Sequence, residues 1–339
     1  MKLLTVTVPC YNSEGYMEHA LSTLLTGGED LEILVVDDGS TDGTAAIADR
    51  WQAQHPGIVR AIHQANAGHG GAVTTGIQNA AGKYFKVVDS DDWVDEAAFA
   101  RVLDALRGLE AAGTDVDLFV TDYIYDKTEA AGRRRTIRYR RALPQGRVFT
   151  WGEVGHFRPW ENLLMHALIY RTEMLRSSGL TLPTKTFYVD NLYCSVPLAS
   201  VRTLYYLDED LYHYYIGREG QSVQEQTMIR RIDQQLRVNR LMLEQVDLEH
   251  VENPRQRAAI FQYHNMITTV TSIMLILGGA PEHLEKKAEL WAYIRETHPW
   301  EYPKLRRSPM GIVVNLPGRA GRGFAVLCYR IANLLFDFN

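Results

Sequence analysis

The stretch Gly82-Lys83-Tyr84-Phe85-Lys86-Val87-Val88-Asp89-Ser90-Asp91-Asp92 decides the fold, because a run that predicts a strand ends in a cluster of carboxylates. Upstream, residues 31–36 predict another strand, which ends in Asp37-Asp38-Gly39-Ser40. Two parallel-type strands that end in carboxylates indicate a ligand crevice at the carboxyl edge of an open α/β sheet. A D-x-D sequence there suits a divalent cation that holds a diphosphate, since hard cations prefer oxygen ligands. The stretch therefore predicts a nucleotide-diphosphate ligand.

Strands and helices alternate along residues 1–125, which predicts a doubly wound, mostly parallel sheet flanked by helices. Ser40, Thr41 and Asp42 are candidate N-caps of the second helix. The predicted strands are residues 3–8, 31–36, 59–63, 84–88 and 117–122, and the predicted helices are residues 13–25, 42–51, 72–80 and 95–109.

The rest of the chain has a different pattern. Residues 126–150 are rich in arginine and predict a polar loop or an exposed hairpin, either a solvated face or a surface for an acidic acceptor or anionic lipid head groups. Further strands are expected at 163–171 and 203–207, and helical spacing begins near residue 228. We therefore predict a domain at 1–225, a helical segment at 226–300 and a C-terminal segment at 301–339.

Composition excludes several classes of function. The formal net charge of −5 gives no indication of nucleic-acid binding. Three widely spaced cysteines indicate neither a disulfide framework nor a zinc site, and they suit a reducing cytosol. The N-terminus lacks the pattern of a signal peptide, and no window reaches the ~18 to 20 apolar residues of a membrane span. We expect a cytoplasmic protein.

Several short motifs together resemble the family 2 glycosyltransferases over about residues 3–225. The family consists of inverting enzymes of the GT-A fold that depend on a nucleotide-sugar. The motifs occur in the family's order and approximate spacing: Val8-Pro9-Cys10-Tyr11-Asn12, then Val35-Val36-Asp37-Asp38-Gly39-Ser40-Thr41-Asp42, Asn66-Ala67-Gly68, Ala80-Ala81-Gly82-Lys83-Tyr84 and Asp89-Ser90-Asp91-Asp92.

The resemblance implies a role for each motif. Pro9 and Tyr11 would flank the nucleobase, and Asp38 would accept a hydrogen bond from a base N–H, which favours uracil. Asp89 would reach the ribose or the metal, and Asp91 would bind the metal, Mn²⁺ or Mg²⁺, directly. Asp92 and Trp93 would shape the loop, and Asp37 would either orient its loop or contact the nucleoside.

The segment Asn66-Ala67-Gly68-His69-Gly70-Gly71-Ala72-Val73 departs from the usual family pattern. It resembles the polyprenyl-phosphate sugar synthases of the same family, which raises a lipid-phosphate acceptor as an alternative. Its glycines would let the backbone come close to the nucleotide. A tight turn before a helix is compatible with that role, and His69 is interpreted as a loop residue rather than a catalyst.

The acceptor side is expected in the second half of the first domain. Asp190 aligns with the family's general base, although Val189 occupies the position where a Glu is usual. The alternative for Asp190 is a carboxylate that stabilises the start of a helix. His166 resembles a residue of the acceptor-side strand, or is a core histidine. Arg218 and Ser222 resemble the loop that meets the donor diphosphate, with a surface salt bridge as the alternative for Arg218.

The C-terminal segment has a basic approach, from Lys304 to Arg322, followed by an apolar helix that contains Phe324 and Tyr329. Such a pattern is typical of a helix that lies in a membrane interface. The alternative is a terminal helix docked on the protein or on a second subunit.

Together these observations predict an inverting glycosyltransferase that moves a sugar from a UDP-sugar to a surface glycan or lipid-linked acceptor at the inner face of a membrane. GDP stays open as the nucleotide. The alternatives are a polyprenyl-phosphate sugar synthase, which needs no general base, a non-catalytic nucleotide-sugar-binding scaffold, and a nucleotidyltransferase. Against the last, residues 8–16 lack its Gly-rich basic loop.

Overall fold

The computed structural model describes residues 2–127, 134–158, 161–216 and 224–336, with side chains described up to Asn333. The chain divides into two compact units, Met1–Ile216 and Gly217–Asn339. The sequence-based division at residues 225 and 300 stays a prediction.

The N-terminal unit is built on one mixed sheet with the strand order β3-β2-β1-β4-β9-β6-β10-β5, in which β7 pairs with β6 and β8 with β10. The strands are β1 (Leu4–Cys10), β2 (Leu31–Asp37), β3 (Val59–His63), β4 (Tyr84–Val87), β5 (Trp93–Val94), β6 (Leu118–Lys127), β7 (Arg135–Ile137), β8 (Val148–Thr150), β9 (Leu168–Arg171) and β10 (Thr203–Ile216).

Strands β3, β2, β1 and β4 form the parallel half of the sheet. Every residue of β1 and β2 is buried, as expected for parallel strands that are covered by helices on both faces. In register, Cys10 lies beside Asp37, and Val88 donates its N–H to the carbonyl of Thr7. Strands β2, β1 and β4 therefore end at the same edge, and this confirms the predicted doubly wound, mostly parallel architecture.

The described residues of the N-terminal unit form six α-helices: α1 (Met17–Leu25), α2 (Thr44–Gln54), α3 (Gly68–Asn79), α4 (Glu96–Ala111), α5 (Thr172–Ser177) and α6 (Asp190–Ser195). Helix α4 begins where the sequence places it, because the Asp95 side chain accepts a hydrogen bond from the Ala98 N–H. The second helix has no such cap: it begins at Thr44, after Gly43.

Several predictions about elements were wrong in extent. Helix α3 begins at Gly68 rather than at Ala72, so the glycines of the GHGG sequence are helical. Residues 165–167 form a 3₁₀ turn, and only Leu168–Arg171 is a strand. Strand β10 continues to Ile216 because it pairs in parallel with β6 through two register shifts. Sequence periodicity does not indicate such a bulged pairing, since a bulge breaks the alternation of faces.

The arginine-rich segment forms part of a hairpin, in which β7 pairs antiparallel with β6. Several of its described arginines are ion-paired within the chain. Arg138 contacts Asp210 at 2.7 Å, and Arg147 contacts Glu153 at 2.7 Å. Arg134 also contacts Asp126. Arg133, one of the clustered arginines, lies outside the described residues. Much of the positive charge is therefore neutralised by nearby carboxylates.

The C-terminal unit is helical over its described residues, as predicted. Its helices are α7 (Glu225–Arg230), α8 (Ile232–Gln245), α9 (Pro254–Gly278), α10 (Pro281–Thr297), α11 (Tyr302–Arg307), α12 (Pro309–Val314) and α13 (Gly318–Phe336). A hydrophobic core joins them around Leu243, Leu275, Leu290, Ile294 and Leu305.

Within the part of the chain that the structure describes, α9 alone is long and apolar enough to cross a membrane. Length and composition alone do not distinguish a membrane-spanning helix from the core helix of a soluble protein. Residues 273–276 of α9 lie in the hydrophobic core, and the His264 imidazole bonds to the buried Glu301 carboxylate at 2.7 Å. These contacts are those of a core helix.

Gly76 lets α3 pack closely on β1. A Cβ atom at this position would lie 2.3 Å from Oγ1 and 2.4 Å from Cγ2 of Thr7. We expect Gly76→Ala to lower the free energy of unfolding by about 1–3 kcal/mol through overpacking. Urea unfolding followed by circular dichroism would measure this. Gly108→Ala is the control, because Gly108 is exposed on α4 with open space around it. It should raise the stability by about 0.5–1 kcal/mol, and equal effects of the two changes would contradict this account.

Candidate functional site

Three loops meet at the carboxyl edge of the parallel strands. The loop after β1 carries Tyr11, the loop after β2 carries Asp38, and the loop after β4 carries Asp89. Hydrogen bonds join these loops: the Asp38 N–H donates to the Cys10 carbonyl at 2.8 Å, and the hydroxyls of Ser13 and Ser90 lie 2.8 Å apart. The sequence motifs that are far apart in the chain are thus brought to one edge of the sheet.

Asp38 holds the start of α3. Its carboxylate accepts hydrogen bonds from the Ala67 N–H at 2.8 Å, the Gly68 N–H at 2.7 Å and the Gln64 amide at 2.7 Å. A carboxylate at a helix N-terminus is favoured because it satisfies free N–H groups and complements the helix dipole. Only 2% of Asp38 is exposed. Its predicted contact with a nucleobase is untested, and such a contact would have to share oxygens that already bind the loop.

Asp37 orients its own loop. It accepts a hydrogen bond from the Ser40 N–H at 3.0 Å, and its other oxygen lies 3.0 Å from His63 Nδ1. Burial raises the pKa of Asp37, but the hydrogen bonds from Ser40 and His63 outweigh burial and hold it below its usual range. The contacts favour the loop-orienting interpretation over a contact with the nucleoside.

His69 projects from the first turn of α3 and contacts Asp89, with 2.9 Å between Nε2 and Oδ1. Burial lowers the pKa of His69, but the carboxylates of Asp89, Asp190 and Asp38 together raise it above its ordinary value. In turn, burial raises the pKa of Asp89, whereas the charge and hydrogen bond of His69 lower it further than burial raises it. The two groups therefore each favour the charged form of the other, and His69 is a helical residue in contact with Asp89 rather than the loop residue expected.

Asp92 is buried beneath the loop and is held by β10. Tyr212 donates its hydroxyl to Asp92 Oδ2 at 2.5 Å, and the Tyr215 N–H donates to Oδ1 at 2.8 Å. The same Tyr212 hydroxyl accepts the Asp89 N–H at 3.2 Å. Burial, followed by the negative charge of Asp89, raises the pKa of Asp92 well above its ordinary value. These bonds fix the position of the Asp89–Asp92 turn.

The His166 side chain packs against two tyrosine rings of β10. Its ring stacks on Tyr214 with 4.3 Å between centroids, and it lies 4.6 Å from the ring of Tyr212. Burial lowers the pKa of His166 to about 4, so the ring is neutral at pH 7. Its Nδ1 atom is buried and has no hydrogen-bond partner among the described residues. A neutral imidazole with a free nitrogen is able to bind a cation or a ligand N–H.

Asp89, Asp92 and His166 form a group that fits a metal ion. Each offers one ligand atom, and these atoms lie within 4.8 Å of one another. Carboxylate oxygens and an imidazole nitrogen are suitable ligands for Mn²⁺, and the unpartnered Nδ1 of His166 points to the same use. Asp89 was predicted as a ligand, whereas Asp92 and His166 were given other roles. The assignment of Asp91 as a ligand stays a prediction.

Asp190 is the first residue of α6, at the end of a loop that presses on α3. The Lys185 N–H donates to the Ala67 carbonyl at 2.6 Å, and a Cβ at Gly68 or Gly70 would come within 2.9 Å of the loop backbone. Because these glycines have no side chain, they leave room for the loop that leads to Asp190. The sequence did not predict this contact. Their predicted approach to a nucleotide is untested.

Asp190 is electrostatically part of the acidic site. Burial raises the pKa of its carboxyl group; the charge of His69 lowers it and that of Asp89 raises it again. The net direction is above the ordinary value. Asp190, His69 and Asp89 therefore interact across the junction of α3, α6 and the acidic turn.

The other predicted residues have varied positions. Tyr11 is 54% exposed, so its ring is accessible to a ligand, and Pro9 is buried at the end of β1. His213 stacks on Trp93 and lies 2.9 Å from a carboxylate oxygen of Asp126. Arg218 and Ser222 lie outside the described residues, so their contacts with a diphosphate stay predictions.

With this geometry in place, comparison with known proteins gives the family. The model of Glycosyl transferase family 2 matches residues 5–171. A protein of Mycoplasma pneumoniae named "Uncharacterized glycosyltransferase MG025 homolog" is 30% identical over 227 residues, which cover 65% of this chain and 70% of that protein. The chain belongs to the family 2 glycosyltransferases. It is therefore a transferase enzyme, as predicted.

Other similar proteins are matched over different lengths. "Uncharacterized glycosyltransferase EpsJ" of Bacillus subtilis is 41% identical over 101 residues, but the match spans only 30% of this chain and 29% of EpsJ. The crystal structure of Staphylococcus aureus TarS 1-349 in complex with UDP-GlcNAc has a TM-score of 0.67 and 19% identity, and the match covers 99% of this chain and 92% of that one. The structural likeness confirms the predicted GT-A fold.

Lys86 is a fully buried lysine beneath the site. The sequence pattern alone did not predict a role for it. Its ammonium group donates to the His166 carbonyl at 2.6 Å and lies 5.1 Å from the ring centre of Tyr212. Burial lowers the pKa of Lys86 to about 7, against the attraction of Asp89. A lysine at an inward position of a strand is unusual, and this exception to the apolar pattern could have signalled a polar centre.

Lys86 should make the stability of the enzyme depend on pH. The unfolded chain keeps the lysine protonated up to about pH 10, whereas the folded protein releases the proton near pH 7, so folding stability should rise with pH between these values. The slope should approach about 1.4 kcal/mol per pH unit.

The measurement is urea unfolding between pH 7 and 9.5. Lys86→Met should lack this slope, and Lys286→Met, at a partly exposed lysine paired with Asp233, should retain it. Parallel profiles for the wild type and Lys86→Met would contradict the prediction.

Proposed function

We propose that this enzyme transfers a sugar with inversion from a UDP-sugar to a hydroxyl group of a surface glycan or a lipid-linked acceptor. The observation that carries the proposal is the junction at the sheet edge, where a possible cation site, Asp89–Asp92–His166, lies beside the candidate base Asp190. An inverting displacement requires these two functions on one reacting centre: a group that stabilises the leaving diphosphate and a base for the attacking hydroxyl.

A UDP-sugar is favoured as the donor for two reasons. The structurally similar TarS is described in complex with UDP-GlcNAc. In this chain, the exposed ring of Tyr11 lies on the loop after β1, next to the loop of Asp38, and an aromatic ring offers apolar contact area to a nucleobase. Arg218 and Ser222 are proposed for the diphosphate, because a guanidinium group can bind phosphate oxygens in a bidentate manner.

Asp89 and Asp91, with Asp92 and His166, are the residues proposed to hold Mn²⁺ or Mg²⁺. When bound, such a cation supplies positive charge that favours departure of the nucleoside diphosphate. The protein's own contribution is to hold the ligands. Tyr212 fixes the turn through both Asp92 and the Asp89 N–H, and the stacked tyrosines hold the His166 ring.

Asp190 is proposed as the general base. Its carboxylate would remove the proton of the acceptor hydroxyl as that oxygen attacks the anomeric carbon. A raised pKa brings a carboxylate closer to the operating pH and makes it a better proton acceptor. His69 interacts electrostatically with both Asp89 and Asp190, so it would compensate their negative charges and favour the ionised form of each.

A polyprenyl-phosphate sugar synthase is the second candidate, and the GHGGAV sequence is the feature that favours it. The contacts of Gly68 and Gly70 give that sequence another explanation, since they accommodate the loop that leads to Asp190. A phosphate acceptor needs no base, so the effect of an Asp190 substitution separates the two reactions. For the hydroxyl acceptor, we place the reaction at the cytoplasmic face of a membrane.

Calorimetric titration with UDP, GDP and CDP, each with Mn²⁺ or with EDTA, tests the donor site. We expect binding of UDP in the presence of Mn²⁺ and loss of that binding with EDTA. Asp91→Asn should lower the metal-dependent affinity at least about tenfold, since a metal ligand loses its charge. Asp104→Asn is the control, because Asp104 is an exposed carboxylate on α4. If none of the three nucleotides shows metal-dependent binding, the proposed donor site is wrong.

Asp190→Asn should leave UDP binding intact and reduce sugar transfer about 10²–10⁴-fold, the usual contribution of general base catalysis. The substitution keeps the size of the side chain but removes its basicity. The assay follows UDP release from a panel of UDP-sugars in the presence of hydroxyl acceptors and, separately, of a polyprenyl phosphate. A near-normal rate with the polyprenyl phosphate would support the synthase instead.

A further inference from the structure

Four of the large apolar side chains that are exposed in the described residues lie close together in the sequence of the C-terminal unit. Phe324, Leu327 and Ile331 on α13 are 50%, 54% and 47% exposed, and Ile312 on α12 is 49% exposed. Residues 324, 327 and 331 are spaced by three and four positions, so they share one face of the helix. This set of three side chains is called the apolar face of α13.

The opposite side of α13 is packed against the protein. Ala325 is buried and belongs to the hydrophobic core of the unit, and Val326 and Tyr329 pack against that core. Helix α13 also lies against α9 and α12. The helix therefore has its own supporting contacts, and the apolar face of α13 is not needed to hold it in place.

The charge of the surrounding segment is one-sided. Residues 302–336 contain no acidic residue, although the whole chain has a net charge of −5. The basic residues of this segment are Lys304, Arg306, Arg307, Arg319, Arg322 and Arg330. At 3.6 residues per turn, Arg319 and Arg330 fall along one edge of the apolar face of α13.

Two of these arginines form a cluster with a lysine of α10. Lys287 is half-buried, and after burial itself the charges of Arg306 and Arg322 lower its pKa, to about 8. The Lys287 ammonium group donates to the Asn315 side-chain carbonyl at 3.0 Å. No carboxylate among the described residues pairs with Lys287, Arg306 or Arg322, whereas Arg330 is paired with Glu225 and the arginines of residues 134–147 are largely paired as well. Lys287, Arg306 and Arg322 are called the basic cluster.

We propose that the apolar face of α13 binds an anionic lipid bilayer. Phe324, Leu327 and Ile331 would insert at the level of the acyl chains, the exposed Arg319 would meet the phosphate groups, and the basic cluster, on the packed side of the helix, would add long-range attraction. An exposed apolar stripe on a helix, in a segment with six basic and no acidic residues, has the chemistry of an interfacial helix. A second protein copy would have to bring its own acids to the same cluster, and a free anion would have no use for the apolar face.

The proposal does not depend on the candidate metal ligands or on Asp190, which belong to the N-terminal unit. Failure of membrane binding would therefore leave the proposed reaction untouched, and failure of the proposed reaction would leave the bilayer surface untouched. If both hold, the enzyme works at a membrane surface, where a lipid-linked acceptor is concentrated.

The test is co-sedimentation of the full chain with phosphatidylcholine vesicles and with mixed phosphatidylglycerol/phosphatidylcholine vesicles. We expect binding to the anionic vesicles, little binding to the neutral ones, and weakening at high salt. Phe324→Ser combined with Leu327→Ser should reduce binding at least about tenfold. Arg307→Gln combined with Arg319→Gln should reduce it by about tenfold or more, at about fivefold for each of these exposed cations near the surface.

Matched controls change similar side chains elsewhere. Tyr16→Ser alters an exposed ring of the N-terminal unit, and Arg295→Gln removes an exposed arginine of α10; both should bind as the wild type does. Circular dichroism should show that all variants are folded, which is expected because the substituted side chains are on the surface.

Three outcomes would overturn the proposal. The first is equal binding, or no binding, to neutral and anionic vesicles. The second is a wild-type dimer in light scattering without vesicles that the Phe324 and Leu327 substitutions make monomeric, because a second copy then covers the apolar face of α13. The third is displacement by inorganic phosphate beyond the effect of chloride at equal ionic strength, combined with no loss on the serine substitutions, which would indicate a site for a free anion.

Discussion

The parallel pairing of β2, β1 and β4 places negative charges at one edge of the sheet, and the site depends on how those charges are compensated. Asp37, Asp38, Asp89 and Asp92 all follow these strands, and most of their oxygens accept hydrogen bonds from the protein. Such bonds are required, because a carboxylate that is withdrawn from water without partners is strongly unfavourable. The edge is therefore organised before any ligand binds.

The four carboxylates are compensated in different ways, and this difference gives them different chemistry. Asp38 is bound by backbone N–H groups at the start of α3 and serves the fold of the loop. Asp89 is bound by His69, and an imidazole can exchange it for another partner more readily than a closed hydrogen-bond network can. Asp92 is buried under Tyr212. Asp89 is therefore the carboxylate best placed to change partner for the cation or nucleotide that we propose binds here.

The glycines of α3 connect the two halves of the N-terminal unit. A side chain at Gly68 or Gly70 would force away the loop that ends at Asp190, and with it the candidate base. The same loop has Lys185 and Tyr188 at positive φ angles, a backbone conformation that costs energy in residues other than glycine. Close packing on α3 and the hydrogen bond of Lys185 to Ala67 stabilise this arrangement.

The sequence by itself determined the fold class, the family and the ends of the parallel strands, because these features are local: a β-rich run followed by acids identifies a strand end wherever it occurs. It also put Asp89 and Asp190 among the candidate site residues. It did not determine that His69 and Tyr212 contact the acidic turn, that Lys86 donates to the His166 carbonyl, or that His166 and Asp92 offer ligand atoms to the same point. Those contacts join residues that are 20 to 123 positions apart, and only the tertiary structure brings them together. Tertiary contacts also set the length of β10 and the helical conformation of the GHGG segment. Pairing with β6 extends β10, and the Asp38 carboxylate holds the start of α3, so both outweigh the local preferences of these segments.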